Sequence, residues 1–222
     1  MPVSRCSKPA ALVAALALVL LPACGGGGGD GNDNNTPPPQ GPLTIPSTPS
    51  LDGVLLLSTN TFETGNASAL PAIGDTALIS GDTSFLRALF SFDLSGVQQT
   101  PTSATLSLFI TSTSGNPGIM MALGRVDHIN FGNTFPDTFN FGTLLDPNFD
   151  QIQNLNQTGR VNINVTSQVL ADLAANRTRS QFRVRGAVEQ SDDDPDNDQT
   201  VFTDGENTAG NNEPPLLILE FD

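Results

Sequence analysis

Ser84-Phe85-Leu86-Arg87-Ala88-Leu89-Phe90-Ser91-Phe92-Asp93-Leu94-Ser95 leads, through a bend containing Gly96 and Pro101, into Ala104-Thr105-Leu106-Ser107-Leu108-Phe109-Ile110. Both segments alternate apolar and polar side chains, as half-buried strands do, because successive residues of a strand point to opposite faces. The first puts Ala88, Phe90 and Phe92 on one side and Arg87 on the other. Two such strands predict the centre of a β-sandwich.

Working outward, the same pattern of short strands predicts Gly53 to Ser58, Thr76 to Ser80, Ile119 to Val126, Val161 to Val165, Phe182 to Gly186, Thr200 to Thr203 and Leu216 to Phe221. Turn formers separate them, as in Gly65-Asn66, Gly81-Asp82, Gly115-Asn116-Pro117-Gly118 and Glu213-Pro214-Pro215. The fold class is therefore all-β, an antiparallel jelly-roll sandwich. One short helix is expected near 167–176, where Thr166 or Ser167 offers a cap and Val169, Leu170, Leu173 and Ala174 recur at helical spacing. Residues 127–159 read as a long loop insertion rich in Phe, Asn, Gly and Asp, with the near-repeat Asn130-Phe131-Gly132-Asn133-Thr134-Phe135 and Asn140-Phe141-Gly142-Thr143.

The start of the chain carries an address. Residues 1–23 combine Arg5 and Lys8 with an apolar run from Ala10 to Leu21, the pattern of a bacterial secretion signal and too short for a stable membrane span. Leu21-Pro22-Ala23-Cys24 resembles the lipobox of bacterial lipoproteins, which implies cleavage before Cys24, its acylation, and a lipid bilayer as partner. Gly25, rather than Asp, after that cysteine implies onward transport to the outer membrane of a Gram-negative envelope. Residues 24–50 then read as a tether, glycine-rich first and proline-rich later, with the sandwich domain occupying 51–222. A coil of the tether's length spans about 25 to 30 Å.

Charge and cysteine content exclude several functions. Asp plus Glu number 23 against 9 Lys plus Arg, for a net charge of −14, and no lysine follows Cys24. Such a surface repels phosphate backbones, so nucleic acid is not an expected partner. Cys6 and Cys24 are the two cysteines, and neither lies in the globular part, so no disulfide framework or cysteine metal site is expected there.

The order of features resembles the DNRLRE-type domains, extracytoplasmic jelly-roll modules that include carbohydrate-binding modules on polysaccharide lyases. The matching segments are Arg87 to Ser95, Ser103 to Leu108, Val161 to Thr166, Phe182 to Arg185, Phe202 to Glu206, and Pro214 to Phe221. The resemblance implies a non-catalytic surface module concerned with glycans or other surface polymers. Stacking on sugar would fall to Phe alone, since the chain has 13 Phe and neither Trp nor Tyr. A structural or adhesive protein that binds other proteins is the alternative, and a polysaccharide-degrading enzyme the weaker one.

Three groups of residues could carry a site. Asp192, Asp194, Asp196 and Asp198, with Asp204 and Glu206 beyond, offer hard oxygen donors at spacings that suit calcium. Asn197 stands where a calcium loop of the EF-hand type needs Gly, so a cation site here would be irregular, and the alternative is a solvated acidic loop. Arg87, Arg183 and Arg185 could bind a ligand carboxylate or pair internally to lock strands together. Phe131, Phe135 and Phe141 could form a ligand platform or bury themselves to pin their own loop. His128, the sole histidine, has no Gly-x-Ser-x-Gly or His-Glu-x-x-His context and reads as structural. Carboxylate pairs for glycoside hydrolysis would have to come from Asp127, Asp137, Asp146, Asp150 and Glu189, which spacing alone does not bring together.

Overall fold

The alternation that opens the sequence becomes β5 (Thr83–Asp93), and its continuation becomes β6 (Ser103–Ser114). The computed structural model describes residues 41–58, 63–67, 69–77, 83–136, 143–189, 197–206 and 213–222. Among these the remaining strands are β1 (Leu43–Pro46), β2 (Gly53–Ser58), β3 (Glu63–Asn66), β4 (Ala72–Ala77) and β7 (Gly124–Asn130). They continue with β8 (Thr143–Ile152), β9 (Gly159–Asn164), β10 (Arg179–Gly186), β11 (Gln199–Phe202) and β12 (Leu216–Glu220). Two α-helices interrupt them, α1 (Pro117–Met120) and α2 (Thr166–Ala174), beside a 3-10 turn at Pro49–Leu51.

All pairings are antiparallel and run β1-β12-β6-β11-β4-β5-β10-β7-β8, with β2 carrying β3 beside β5 and β9 beside β6. The long strands organise this network. β6 uses Ser103–Ser107 for β12, Thr105–Ile110 for β9 and Ile110–Ser114 for β11. β5 uses Ser84–Leu89 for β2 and Ala88–Asp93 for β10. The sheet folds over itself into an all-β antiparallel sandwich. Inside it Ala88, Phe90, Phe92, Phe182, Val184 and Val126 meet Leu106, Leu108, Ile110, Leu217, Leu219 and Ile163. The expected core face of β5 is fully buried, and Phe90 meets Phe202 edge to face at 5.9 Å. Burying each such side chain contributes about 1.5 to 3 kcal/mol.

α2 closes one end by inserting Val169 into this core. Thr166 does not cap it: its hydroxyl accepts the Ala104 N–H of β6 at 2.9 Å, and the residue before the helix is Val165. The helix ends where expected, with Asn176 in the left-handed conformation at φ 53°.

Four sequence expectations change. The sandwich begins before Leu51, because Leu43–Pro46 pairs with Leu216–Leu219 inside the proline-rich run assigned to the tether. Pro at the end of an edge strand leaves that pairing intact, since its missing N–H faces outward. The predicted strand from Ile119 to Val126 is divided between α1 and β7: Pro117 opens a helical turn, Ala122 turns at φ 60°, and the strand starts only at Gly124. β4 begins upstream of the predicted start at Thr76, covering Ala72–Ala77 on ladders with β5 and β11, while residues 78–80 of the predicted strand lie outside the described residues. The 127–159 insertion is not a loop throughout, because Thr143–Ile152 forms a strand along β7. That pairing is irregular around His128, and Pro147 and Asn148 (φ 53°) mark the break in alternation that hid the strand.

Candidate functional site

The face of β5 turned away from the main core carries Arg87, Leu89 and Ser91, and in the next strand Arg183 stands directly opposite Leu89. Asp127 of β7 lies opposite Arg183, which completes a row across three strands. Arg183 donates from Nε and Nη2 to Asp127 Oδ2 at 2.8 and 2.7 Å, and Arg185 Nε reaches the same oxygen at 3.0 Å. The other oxygen accepts the Asn148 N–H at 2.8 Å, an approach made possible by the bulged geometry of β8. Burial by itself would push the Asp127 carboxyl up; Arg183, the Asn148 N–H and Arg185 outweigh it and hold the group below the ordinary carboxylate range. Burial, and the nearby charges of Arg87 and Arg185, lower Arg183 against the opposing pull of Asp127. Arg87 forms a two-pronged pair with Glu189, Nε and Nη2 each 2.7 Å from a carboxylate oxygen. All three arginines proposed from sequence as ligand binders thus hold carboxylates of their own chain.

The same face explains two of the phenylalanines. Phe131 and Phe135, 6.4 Å apart ring to ring, pack on a second small core of Leu55, Leu89 and Ile129. Gln181 fastens the turn beneath them by accepting the Phe131 N–H at 2.8 Å and donating to the Gly132 carbonyl at 2.8 Å. These rings pin their own segment to the sheet rather than standing out as a platform. Phe141 lies outside the described residues.

The acidic residues separate in the same way. Asp198, buried, accepts the Asn116 N–H through Oδ1, while its own N–H donates to Asp75 Oδ1 at 2.9 Å and its carbonyl accepts the Asp75 N–H at 3.1 Å. Asp204 and Glu206 follow the other end of β11, a strand of four residues and therefore roughly 13 Å long. Asp198 is thus not brought together with Asp204 and Glu206. Asp192, Asp194, Asp196 and Cys24 lie outside the described residues. Among the described residues no group of three or more His, Cys, Asp or Glu side chains is placed to hold a metal ion. Next to Glu206, however, sits a carboxyl that the pattern did not single out. Asp52 is fully buried and accepts the Ser91 N–H at 3.2 Å and the Gly205 N–H at 3.1 Å. Burial, reinforced by the charge of Glu206, pushes it up to about 8.

His128 belongs to the core side of β7, stacked 5.7 Å from Phe182. Its Nε2 lies 2.9 Å from Asp172 Oδ2, and Asp172 Oδ1 accepts Arg177 Nη1 at 3.0 Å. Sequence reasoning missed Asp172, although an Asp three residues after Val169 on the buried side of a helix signals an internal partner. Asp146 and Gln168 close the neighbouring rim through a 2.8 Å hydrogen bond from Gln168 Nε2. Of the other carboxylates considered for glycoside hydrolysis, Asp127 and Glu189 are taken by arginines, Asp150 accepts the Gln151 N–H at 2.7 Å, and Asp137 lies outside the described residues.

A cleft lies where β6 passes through α1 into β7 and β8 turns towards β9. It measures about 450 Å³, and its walls include Asn116, Gly118, Leu123, Gln153, Asn154 and Asn156. Asp198 positions its near wall through Asn116, and Asn154 turns its far wall at φ 57°. Four side-chain amides line it, with no charged group among the described residues of its wall. Each amide supplies both donors and acceptors, so such walls match vicinal hydroxyl groups, while Leu123 provides apolar surface. Compared with known proteins, the chain matches no family model, and no curated protein matches it in sequence.

Proposed function

We propose that this protein is a non-catalytic glycan-binding module of the bacterial cell envelope, held to the outer membrane by acylated Cys24. The observation that carries the binding reading is the amide-lined cleft of Asn116, Gln153, Asn154 and Asn156. Neutral sugars present alternating hydroxyl groups and C–H surfaces, and this combination of amides and Leu123 answers both. The resemblance to DNRLRE-type modules points the same way. The rearrangement of Arg87, Arg183 and Arg185 into internal pairs moves the expected contact away from the sheet face and into the loops at the sandwich end.

Affinity electrophoresis of the full chain through gels containing neutral polysaccharides tests the binding. Retardation by at least one polymer is expected, and Gln153→Ala or Asn156→Ala should relieve it without changing the unfolding midpoint. No retardation by any polymer would overturn the reading. Labelling with palmitate in a bacterial host, lost in Cys24→Ser, tests the anchor.

A further inference from the structure

A second cleft, of about 250 Å³, opens at the other end of β7. Asn130 and Asn133 form one wall, and Asn176, Arg177, Thr178 and Arg179 form the other. No Asp or Glu is among the described residues that line it, in a chain whose net charge is −14.

Both arginines are fixed by part of their guanidinium and leave the rest uncommitted. Arg177 uses Nη1 for Asp172 Oδ1 at 3.0 Å and the Ala171 carbonyl at 3.5 Å. Arg179 uses Nε for Asn133 Oδ1 at 2.9 Å, and Nη1 for Thr48 Oγ1 at 2.9 Å and Ser91 Oγ at 3.3 Å. The Nη2 group of each makes no hydrogen bond to the described residues. Arg179 also lacks a carboxylate within ion-pair distance among them; Asp93, its cross-strand neighbour, accepts the Ser95 N–H at 2.8 Å and feels the Arg179 charge only from beyond that distance. Arg179, held in place by neutral acceptors, and Arg177, anchored on the Asp172 carboxylate, cost little ordering when an anion arrives, and a guanidinium suits a planar carboxylate.

We propose that this cleft is an anion subsite that takes the carboxylate of an acidic sugar residue, with Arg177 and Arg179 as the charged contacts and Asn133 and Asn176 beside the ring hydroxyls. The proposal rests on the glycan-binding reading and adds a preference for acidic polymers, read at a site separate from the amide-lined cleft. The four neutral side chains around the arginines favour a polyhydroxylated carboxylate over a bare anion.

The test compares binding of the full chain to immobilised polygalacturonate and to its carboxyl-reduced neutral form, with a chelator present so that calcium bridging contributes nothing. The acidic polymer is expected to bind on the order of tenfold more tightly, as a charge-assisted hydrogen bond allows. The difference should shrink as salt is raised. Arg179→Gln and Asn176→Asp should each remove most of the preference, measured at a temperature where both variants remain folded. Asn176→Asp keeps the left-handed turn accessible and places a negative charge in the cleft. Equal binding to both polymers, or a preference that survives both variants, overturns the anion subsite and leaves the glycan reading standing. Binding to neither polymer overturns both.

Discussion

Arg183 and Asp127 are direct cross-strand partners on β10 and β7, and the guanidinium Nη2 lies 2.7 Å from the Asp127 carboxylate. Arg185, two residues along, turns to the same oxygen, so one fully buried carboxylate serves two cations. Strand alternation puts both arginines on one face, and the register decides which acid they meet. Removing one partner of such a buried group costs far more than the pair itself contributes, because the opposite charge stays behind.

Asp127→Asn is therefore expected to destabilise the domain by about 3 to 5 kcal/mol at neutral pH. Denaturant titration of the variant and the parent measures this. The pH dependence supplies a second reading. The native carboxyl titrates below its unfolded value, so its contribution is present above the ordinary carboxylate range and is lost as pH falls through the native value. The parent should lose stability in that acidic window, and the variant should lose less.

Asp52 acts in the opposite direction. Its native carboxyl is pushed up to about 8, against an unfolded value near 3.8. A group raised in this way holds its proton in the folded state, so its contribution is complete below the unfolded value and disappears as pH rises through the native one. Stability measured by denaturant is expected to decline between about pH 4 and 8. Asp52→Asn should flatten that decline, although the amide presents a donor to either the Ser91 or the Gly205 N–H and lowers stability overall. The slope against pH is the decisive quantity, and an unchanged slope would sink the assignment.

Much of the sandwich was legible because its strands are two-sided. Ala88, Phe90 and Phe92 alternate with residues that a second face can use, and β2, with predicted bounds of Gly53 and Ser58, occupies that span. β8 was illegible because Asp146-Pro147-Asn148 breaks the period, and Pro147 argues against a strand until the bulge beside β7 is known. The candidate arginines could be picked out by type, but their fate depended on register. Nothing within Phe182 to Gly186 reveals that Asp127 of β7 will meet Arg183 and Arg185, and nothing around Arg87 reveals that Glu189, just beyond β10, will meet it. The amide-lined cleft left no motif either, since it joins residues around Asn116 to residues around Asn154. Those are two loops that only the folded sheet brings side by side.

The two readings of Phe135 make different predictions. A ligand platform would lose affinity on truncation and little stability, whereas a ring packed over Leu55, Leu89 and Ile129 behaves as core. Phe135→Ala is expected to cost about 2 to 4 kcal/mol, at or below the range for a fully buried Phe because the ring is only partly covered. Polysaccharide retardation at a temperature where the variant remains folded should be unchanged.

Gly115 links the stability of the sandwich end to the cleft beside it. It sits at φ 59°, in the left-handed region, and a Cβ there would overlap the Asp198 carboxylate that holds the Asn116 N–H. The backbone penalty for an L side chain is about 1 to 2 kcal/mol, and the displaced carboxylate adds to it. Gly115→Ala is accordingly expected to lower the unfolding midpoint and, by releasing Asn116, to weaken retardation by neutral polysaccharides. Asp198→Asn separates the two effects. It keeps an oxygen for the Asn116 N–H and leaves the backbone contacts with Asp75 in place, so binding should survive better than in Gly115→Ala. If Gly115→Ala destabilised the domain yet left polysaccharide binding intact, Asn116 would have no part in the site. The contact would then have to lie on the Gln153 to Asn156 side of the cleft alone.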